Sequence, residues 1–114
     1  MDKNRKKQLD MISVAQKQIM QWAKRERLSL SNVDYVVPFV EDDFSLTTWF
    51  FYETNAQIDV HEKNGDSERL KHEFLRVLSS LGYPSEWLSS VDFAFDSDEN
   101  VKKNFAGSYF YRLR

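Results

Sequence analysis

The chain has no cysteine, two prolines and three glycines in 114 residues. The missing cysteine excludes a disulfide framework, thiolate zinc sites and a cysteine nucleophile, and it suits a reducing compartment. So few prolines and glycines leave little room for long irregular loops. No apolar run approaches the roughly 18 residues of a membrane span. The charged N-terminus carries no apolar core of a signal peptide. A cytoplasmic protein with no membrane partner is the expectation. Gly65, Gly82 and Gly107 stand too far apart to form a phosphate-cradling loop.

What is abundant is aromatic. Nine Phe, five Tyr and three Trp make up 15 % of the chain. That share argues against disorder, because large rings bury much surface per residue ordered. The length suits one domain, 1–114, with one core. Net charge is −2 but unevenly spread. Residues 1–30 hold eight Lys/Arg against three Asp/Glu, a net of +5, and residues 31–114 hold eight against fifteen, a net of −7. A basic segment therefore precedes an acidic body, giving two surfaces of opposite sign, one of which can meet a charged partner.

Periodicity divides the chain into elements. Residues 4–28 read as one long helix, with Leu9, Ile12, Ile19 and Trp22 near one stripe and Lys/Arg on the other face. Lys3, Arg5, Lys6 and Lys7 gather at its start, where cations oppose the helix dipole, so the first turn is expected to fray. Val33 to Val40 reads as a strand, with Pro38 marking an edge or bulge. After the acidic turn Glu41-Asp42-Asp43, Leu46 to Thr54 reads as a second, antiparallel strand. Rings on both of its faces predict cover on both sides. Ile58 and Val60 alternate with Asp59 and His61, which favours a short third strand over 56–62. Ser67 is placed to cap a helix through Leu81, Gly82 suits its left-handed C-terminal cap, and Ser85 to Leu88 suits a helical turn. Val91, Phe93 and Phe95 form another strand; Asp96 and Glu99 have capping-box spacing for a short helix over 98–105. Tyr109, Tyr111 and Leu113 read as a last strand. The expected fold is α+β: a largely antiparallel sheet of four to five strands, with the long N-terminal helix and a second helix packed on it.

The candidate chemistry is thin. Asp96, Asp98 and Asn100 match the first ligand positions of a calcium loop, but Val101 stands where its Gly belongs and Gly107 where its bidentate Glu belongs. Helix capping accounts for the same residues. His61 and His72 lie eleven apart, not four, so no helical zinc motif exists. Glu41, Asp42, Asp43 and Glu53 could supply paired carboxylates, although an acidic turn is usually just solvated. No catalytic residue, cofactor or metal is implied, and the expectation is not an enzyme. A basic helix and aromatic strands are the ingredients of single-strand nucleic-acid recognition, but the aromatics belong to the acidic body, where phosphate is repelled. Together with a pI near 5.7, this counts against nucleic acid.

The segments T-T-W-F-F-Y-E-T, H-E-F-L-R-V-L-S-S-L-G-Y-P and F-D-S-D-E-N-V-K-K-N-F-A-G-S-Y-F-Y-R-L-R resemble small bacterial proteins across roughly residues 47–114. In format, the small, acidic, cysteine-free α+β body is similar to bacterial toxin-immunity proteins. That resemblance implies a protein that covers a toxin's active site and has no catalytic residues of its own. Tyr and Trp make good interface anchors, so Trp49, Tyr52, Tyr109 and Tyr111 are candidates. The expected partner-binding set is Glu41, Asp42, Asp43, Trp49, Tyr52, Asp96, Asp98 and Glu99, meeting a basic protein. The competing expectation is a homo-oligomer formed through a sheet edge at Pro38 or at the C-terminal strand, or through the first helix.

Overall fold

The computed structural model describes residues 2–114. Helix α1 spans Lys3–Arg25, β1 Leu30–Val36, β2 Leu46–Tyr52, α2 Asn55–Lys63 and α3 Asp66–Ser80. A turn of helix, α4, covers Ser85–Leu88, followed by β3 Val91–Ser97, α5 Asp98–Asn104 and α6 Tyr109–Arg112. The sheet has three strands in the order β1-β2-β3. β1 pairs antiparallel with β2, whereas β3 runs parallel to it. The fold is α+β, but the expected four to five largely antiparallel strands are corrected to three in a mixed sheet.

Two expected strands are helices. Over 56–62, Thr54 caps α2 through a full capping box: its hydroxyl accepts from the Gln57 N–H, and the Gln57 side chain accepts from the Thr54 N–H. At the C-terminus, Ser108 caps α6 by accepting from the Tyr111 N–H. Two further boundaries shift. Ser67 lies inside α3 rather than at its cap, and Ser97, not Asp96, caps α5. β1 stops at Val36, before Pro38. α1 is helical from Lys3. α3 ends as expected: Gly82 sits at φ +88°, and Tyr83 and Gly82 donate back to the carbonyls of Leu78 and Ser79.

The side-chain period of two gives β2 two buried faces. Leu46, Thr48, Phe50 and Tyr52 face a helix layer. There Ile12, Ala15 and Ile19 of α1 and Leu70, Phe74 and Leu78 of α3 complete the main core. The basic helix thus packs firmly on the acidic body. On the opposite face Phe51 is fully buried, with Tyr109 of α6 set edge-on at 4.7 Å. The cover predicted for both faces is present.

Thr48 is fully buried, and its hydroxyl has no hydrogen-bond partner among the described residues. An unpaired buried hydroxyl costs free energy that an apolar isostere avoids. Thr48→Val is therefore expected to stabilise the fold by about 1 kcal/mol. The urea midpoint reads this; an unchanged or lower midpoint would show the hydroxyl to be satisfied in solution.

Candidate functional site

The acidic turn is part of a nine-residue connection, residues 37–45, folded around one side chain. Arg5 of α1 is only 8 % exposed. Its Nη2 donates to the carbonyls of Pro38 at 3.0 Å, Val40 at 2.9 Å and Asp43 at 2.8 Å. Its Nη1 donates to Gln8 Oε1 at 2.6 Å. Gln8 is fully buried and in turn donates to the Phe44 carbonyl and the Tyr83 hydroxyl, both at 3.0 Å. Phe44 lies under the Arg5 guanidinium and stacks on Trp87 at 4.2 Å. Asp43 tightens the same loop by accepting from the Ser45 N–H and hydroxyl, and these bonds hold its carboxyl below the usual carboxylate range. A connection that reads in sequence as a strand end and an acidic turn is therefore a loop held from inside by a planar, multidentate cation.

This anchored loop carries apolar side chains outward. Phe39 is 105 % exposed and Val40 64 %. Val36 at the end of β1, and Phe110 and Tyr111 of α6, are also exposed. Phe39, Val36, Val37, Tyr35, Phe110 and Leu113 line a groove of about 670 Å³ between β1 and α6. Single exposed apolar residues need no explanation, but a contiguous set bordered by charge is a mark of an interaction surface. Glu41, Asp42 and Asp43, all exposed, follow directly on this patch. Glu41 also lines a smaller cavity beside Phe39.

The other sequence-predicted residues lie elsewhere. Tyr52 is fully buried in the core; its hydroxyl pairs with Ser67 Oγ at 2.8 Å, and burial pushes its pKa up to about 12. Trp49, Asp96 and Asp98 gather at the C-terminal helices. Asp96 is 6 % exposed and holds the Arg112 Nε, both through charge and through a hydrogen bond. It also accepts from the Ser97 N–H at 2.8 Å and from Asn100 Nδ2. The Arg112 guanidinium lies over Trp49 at 4.5 Å and Phe105 at 5.2 Å. Asp98 accepts from the Tyr109 hydroxyl at 2.6 Å and pairs with Lys102, and the Lys102 bond leads in lowering its pKa. Burial, then that same bond to Asp98, pushes Tyr109 up to about 12. Glu99 is exposed and accepts from the Asn55 N–H at 2.8 Å. Asp96 and Trp49 tie α6 to the sheet through Arg112, Asp98 joins α5 to α6, and Glu99 joins α5 to α2.

No catalytic constellation assembles around the histidines. His61 Nδ1 is 2.9 Å from Asp66 Oδ2, and its ring stacks on Tyr52 at 4.6 Å. Burial works to raise the Asp66 pKa, but bonds to His61 and Arg69 prevail and hold it low. Ser67, the nearest serine in sequence, spends its hydroxyl on Tyr52 rather than on the imidazole. His72 is exposed. Among the described residues, no group of three or more His, Asp or Glu is placed to hold a metal ion. Among the described residues, no helix is long and apolar enough to cross a membrane.

In comparisons with known proteins, no family model, no curated protein and no solved structure matches this chain. The site is therefore argued from its own residues. Sequence reasoning found the acidic trio but missed Phe39, Val40 and Phe110, and it missed Arg5 as the residue that positions the loop. Pro38 was the available signal, since proline interrupts a strand ladder and turns the following residues away from it.

The free edge of β1 bears on how a partner could dock. Ladder partners of β1 lie on one side only. On the outer side, Gln16 Nε2 donates to the Val33 carbonyl at 2.9 Å, and the Tyr35 N–H donates to its neighbour's Asp34 Oδ1 at 3.0 Å. The register is also irregular between Leu30 and Asn32. Filling edge groups with side chains and bulging the strand are recognised ways of blocking strand addition.

Proposed function

We propose that the protein is a non-enzymatic binding module of the inhibitor kind, docking a basic protein partner on the patch of Val36, Phe39, Val40 and Phe110. The observation that carries this reading is Phe39: a wholly exposed ring on a loop fixed by three Arg5 hydrogen bonds to its carbonyls. A preorganised aromatic anchor loses little entropy on binding and becomes a hot spot once water is excluded around it. The carboxylates of Glu41, Asp42 and Asp43 beside it select a cationic surface and speed encounter. A toxin-neutralising role, as the immunity-protein resemblance implies, fits this arrangement. A homo-oligomer built through the β1 edge is the weaker reading, because Gln16 and Asp34 occupy that edge.

The test uses the tagged protein and lysate of its native host at low salt. Phe39→Ser alters a side chain with no core contacts, so stability should move by less than about 0.5 kcal/mol. Wild type is expected to retain one stoichiometric basic protein. Phe39→Ser should weaken its binding by roughly 30-fold through a faster off-rate. Reversing Glu41, Asp42 and Asp43 to Lys should slow association instead. Equal capture by wild type and Phe39→Ser sinks the reading. A wild-type dimer that Phe39→Ser makes monomeric in sedimentation replaces the basic partner with a second copy.

A further inference from the structure

The outward face of α1 is independent of the Phe39 patch and carries charge of the other sign. At about 100° per residue, Lys6, Lys17 and Lys24 fall in one row along the helix. Lys7 and Arg25 fall in a second row about 100° away. Between them lie Lys3, Asp10, Val14 and Gln21, and every one of these residues is exposed. Each row extends over about 27 Å, opposite the arc that buries Ile12, Ala15 and Ile19.

Intramolecular pairs do not account for the lysines of this face, whereas Arg25 lies close enough to Glu73 of α3 to help lower its pKa. Among the described residues, Lys3, Lys7, Lys17 and Lys24 have no carboxylate within ion-pair distance; only Lys6 does, on Asp10. The exposed face of α3 differs, being laced with pairs at i,i+3: Asp66–Arg69, Glu68–Lys71 and Glu73–Arg76. The first turn of α1 contains no acid, so Lys3 and Lys6 face the positive end of the helix dipole. Arg5 is accounted for by the loop that it holds; the neighbouring lysines are not. Local choices that oppose the fold without an internal gain tend to mark function.

We propose that this face of α1 docks in the major groove of B-form DNA, with its two rows of cations on the phosphates of the two strands. A helix about 10–12 Å across matches a groove about 12 Å wide, and two flanking rows suit two backbones better than a flat surface. The apolar side of α1 is consumed by the core, which leaves Val14 alone to enter a bilayer. Aromatic side chains for stacking single strands are absent from the face, and the major groove of duplex RNA is too narrow for a helix. The sequence counted against nucleic acid through the aromatic strands of the acidic body, which take no part here, and through a pI near 5.7, which averages the −7 body with the +5 N-terminal segment. Beyond a Debye length of about 8 Å at physiological salt, the carboxylates on the far side of the sheet are screened.

Anisotropy of a labelled 20-base-pair DNA duplex, titrated with the full chain between 20 and 150 mM salt, tests this. About five phosphate contacts predict a slope of log K against log salt of roughly −4.5, with little dependence on sequence. Lys17→Gln/Lys24→Gln removes two contacts and should make the slope shallower by about 2. Both positions are exposed and helix-tolerant, and an unchanged thermal melt confirms the fold. Absence of duplex binding at 20 mM salt overturns the proposal. So does an unchanged slope in the variant, or equal or tighter binding to an RNA duplex or to phosphatidylserine vesicles.

Discussion

Arg5→Ala is expected to lower folding stability by about 3 kcal/mol, and to do so mainly by releasing a loop. Charge-assisted hydrogen bonds are among the stronger ones, and this guanidinium makes four, at 2.6 to 3.0 Å. The carbonyls of Pro38, Val40 and Asp43 are only part-buried and recover some solvation once Arg5 is gone. Gln8 Oε1 is fully buried and does not. The loss should therefore fall short of the sum of the bonds. Its local signature is hydrogen exchange at the Asp43 amide, which donates to Val40 at 3.1 Å within the loop. That amide should lose protection, while amides in the middle of α3 lose only what the global stability loses. Arg5→Lys keeps the charge without the planar fork and should recover the loss in part. If the loop amides of Arg5→Ala exchange as in wild type, Arg5 does not organise the loop, and the preorganisation of Phe39 needs another cause.

The same side chain shows where the sequence was legible and where it was not. α1, the antiparallel β1–β2 pair, α3 and its Gly82 cap follow from signals a few residues apart. Arg5 acts on carbonyls 33 to 38 residues away, and no local pattern encodes that. Phe39 was hidden for a related reason: Val33 to Val40 is almost unbroken apolar sequence and reads as one strand, although Pro38 already spoke against it. The error at 56–62 had wider consequences. Ile58 and Val60 alternate with polar residues over too short a stretch to separate period two from period 3.6, while Thr54 and Gln57 already had capping-box spacing. Taken as a helix, that segment joins α3 in a helical crossover from β2 to β3, and a crossover of that length permits a parallel pair. At the C-terminus, Tyr109, Tyr111 and Leu113 alternate like a strand, but Ser108 is placed to cap a turn of helix there by accepting from the Tyr111 N–H. Glu41, Asp42 and Asp43 were legible as an acidic surface because exposure of a charged turn is the default. Asp96 was not, because its burial depends on an arginine sixteen residues away.

That arginine sets the second large effect. Asp96→Ala should cost about 3–5 kcal/mol, a large part of the 5–15 kcal/mol typical of a small domain. The Asp96 side chain is 8 % exposed and that of Arg112 27 %. Removing the carboxylate leaves a cation between Trp49 and Phe105 with no counter-charge, and also frees the Asn100 amide and the Ser97 N–H. Breaking one side of a buried pair is costlier than removing both partners, since the stranded charge keeps its desolvation penalty. Asp96→Ala/Arg112→Leu should therefore be more stable than the two single losses predict together, with a coupling of roughly 1–3 kcal/mol. Leucine retains an apolar contact to Trp49 and brings no charge. α6 is a single turn without a buried residue of its own, capped by Ser108 and held by Arg112 and Tyr109. Its release in Asp96→Ala should uncover Phe51 and Trp49 and shift tryptophan emission to longer wavelength before global unfolding. It should also dismantle the α6 wall of the groove while leaving the Arg5 loop in place. Urea denaturation of the four proteins in the cycle, followed by fluorescence, decides it: strictly additive losses would mean that Asp96 and Arg112 act separately, and α6 would then owe its position to Tyr109 packing on Phe51.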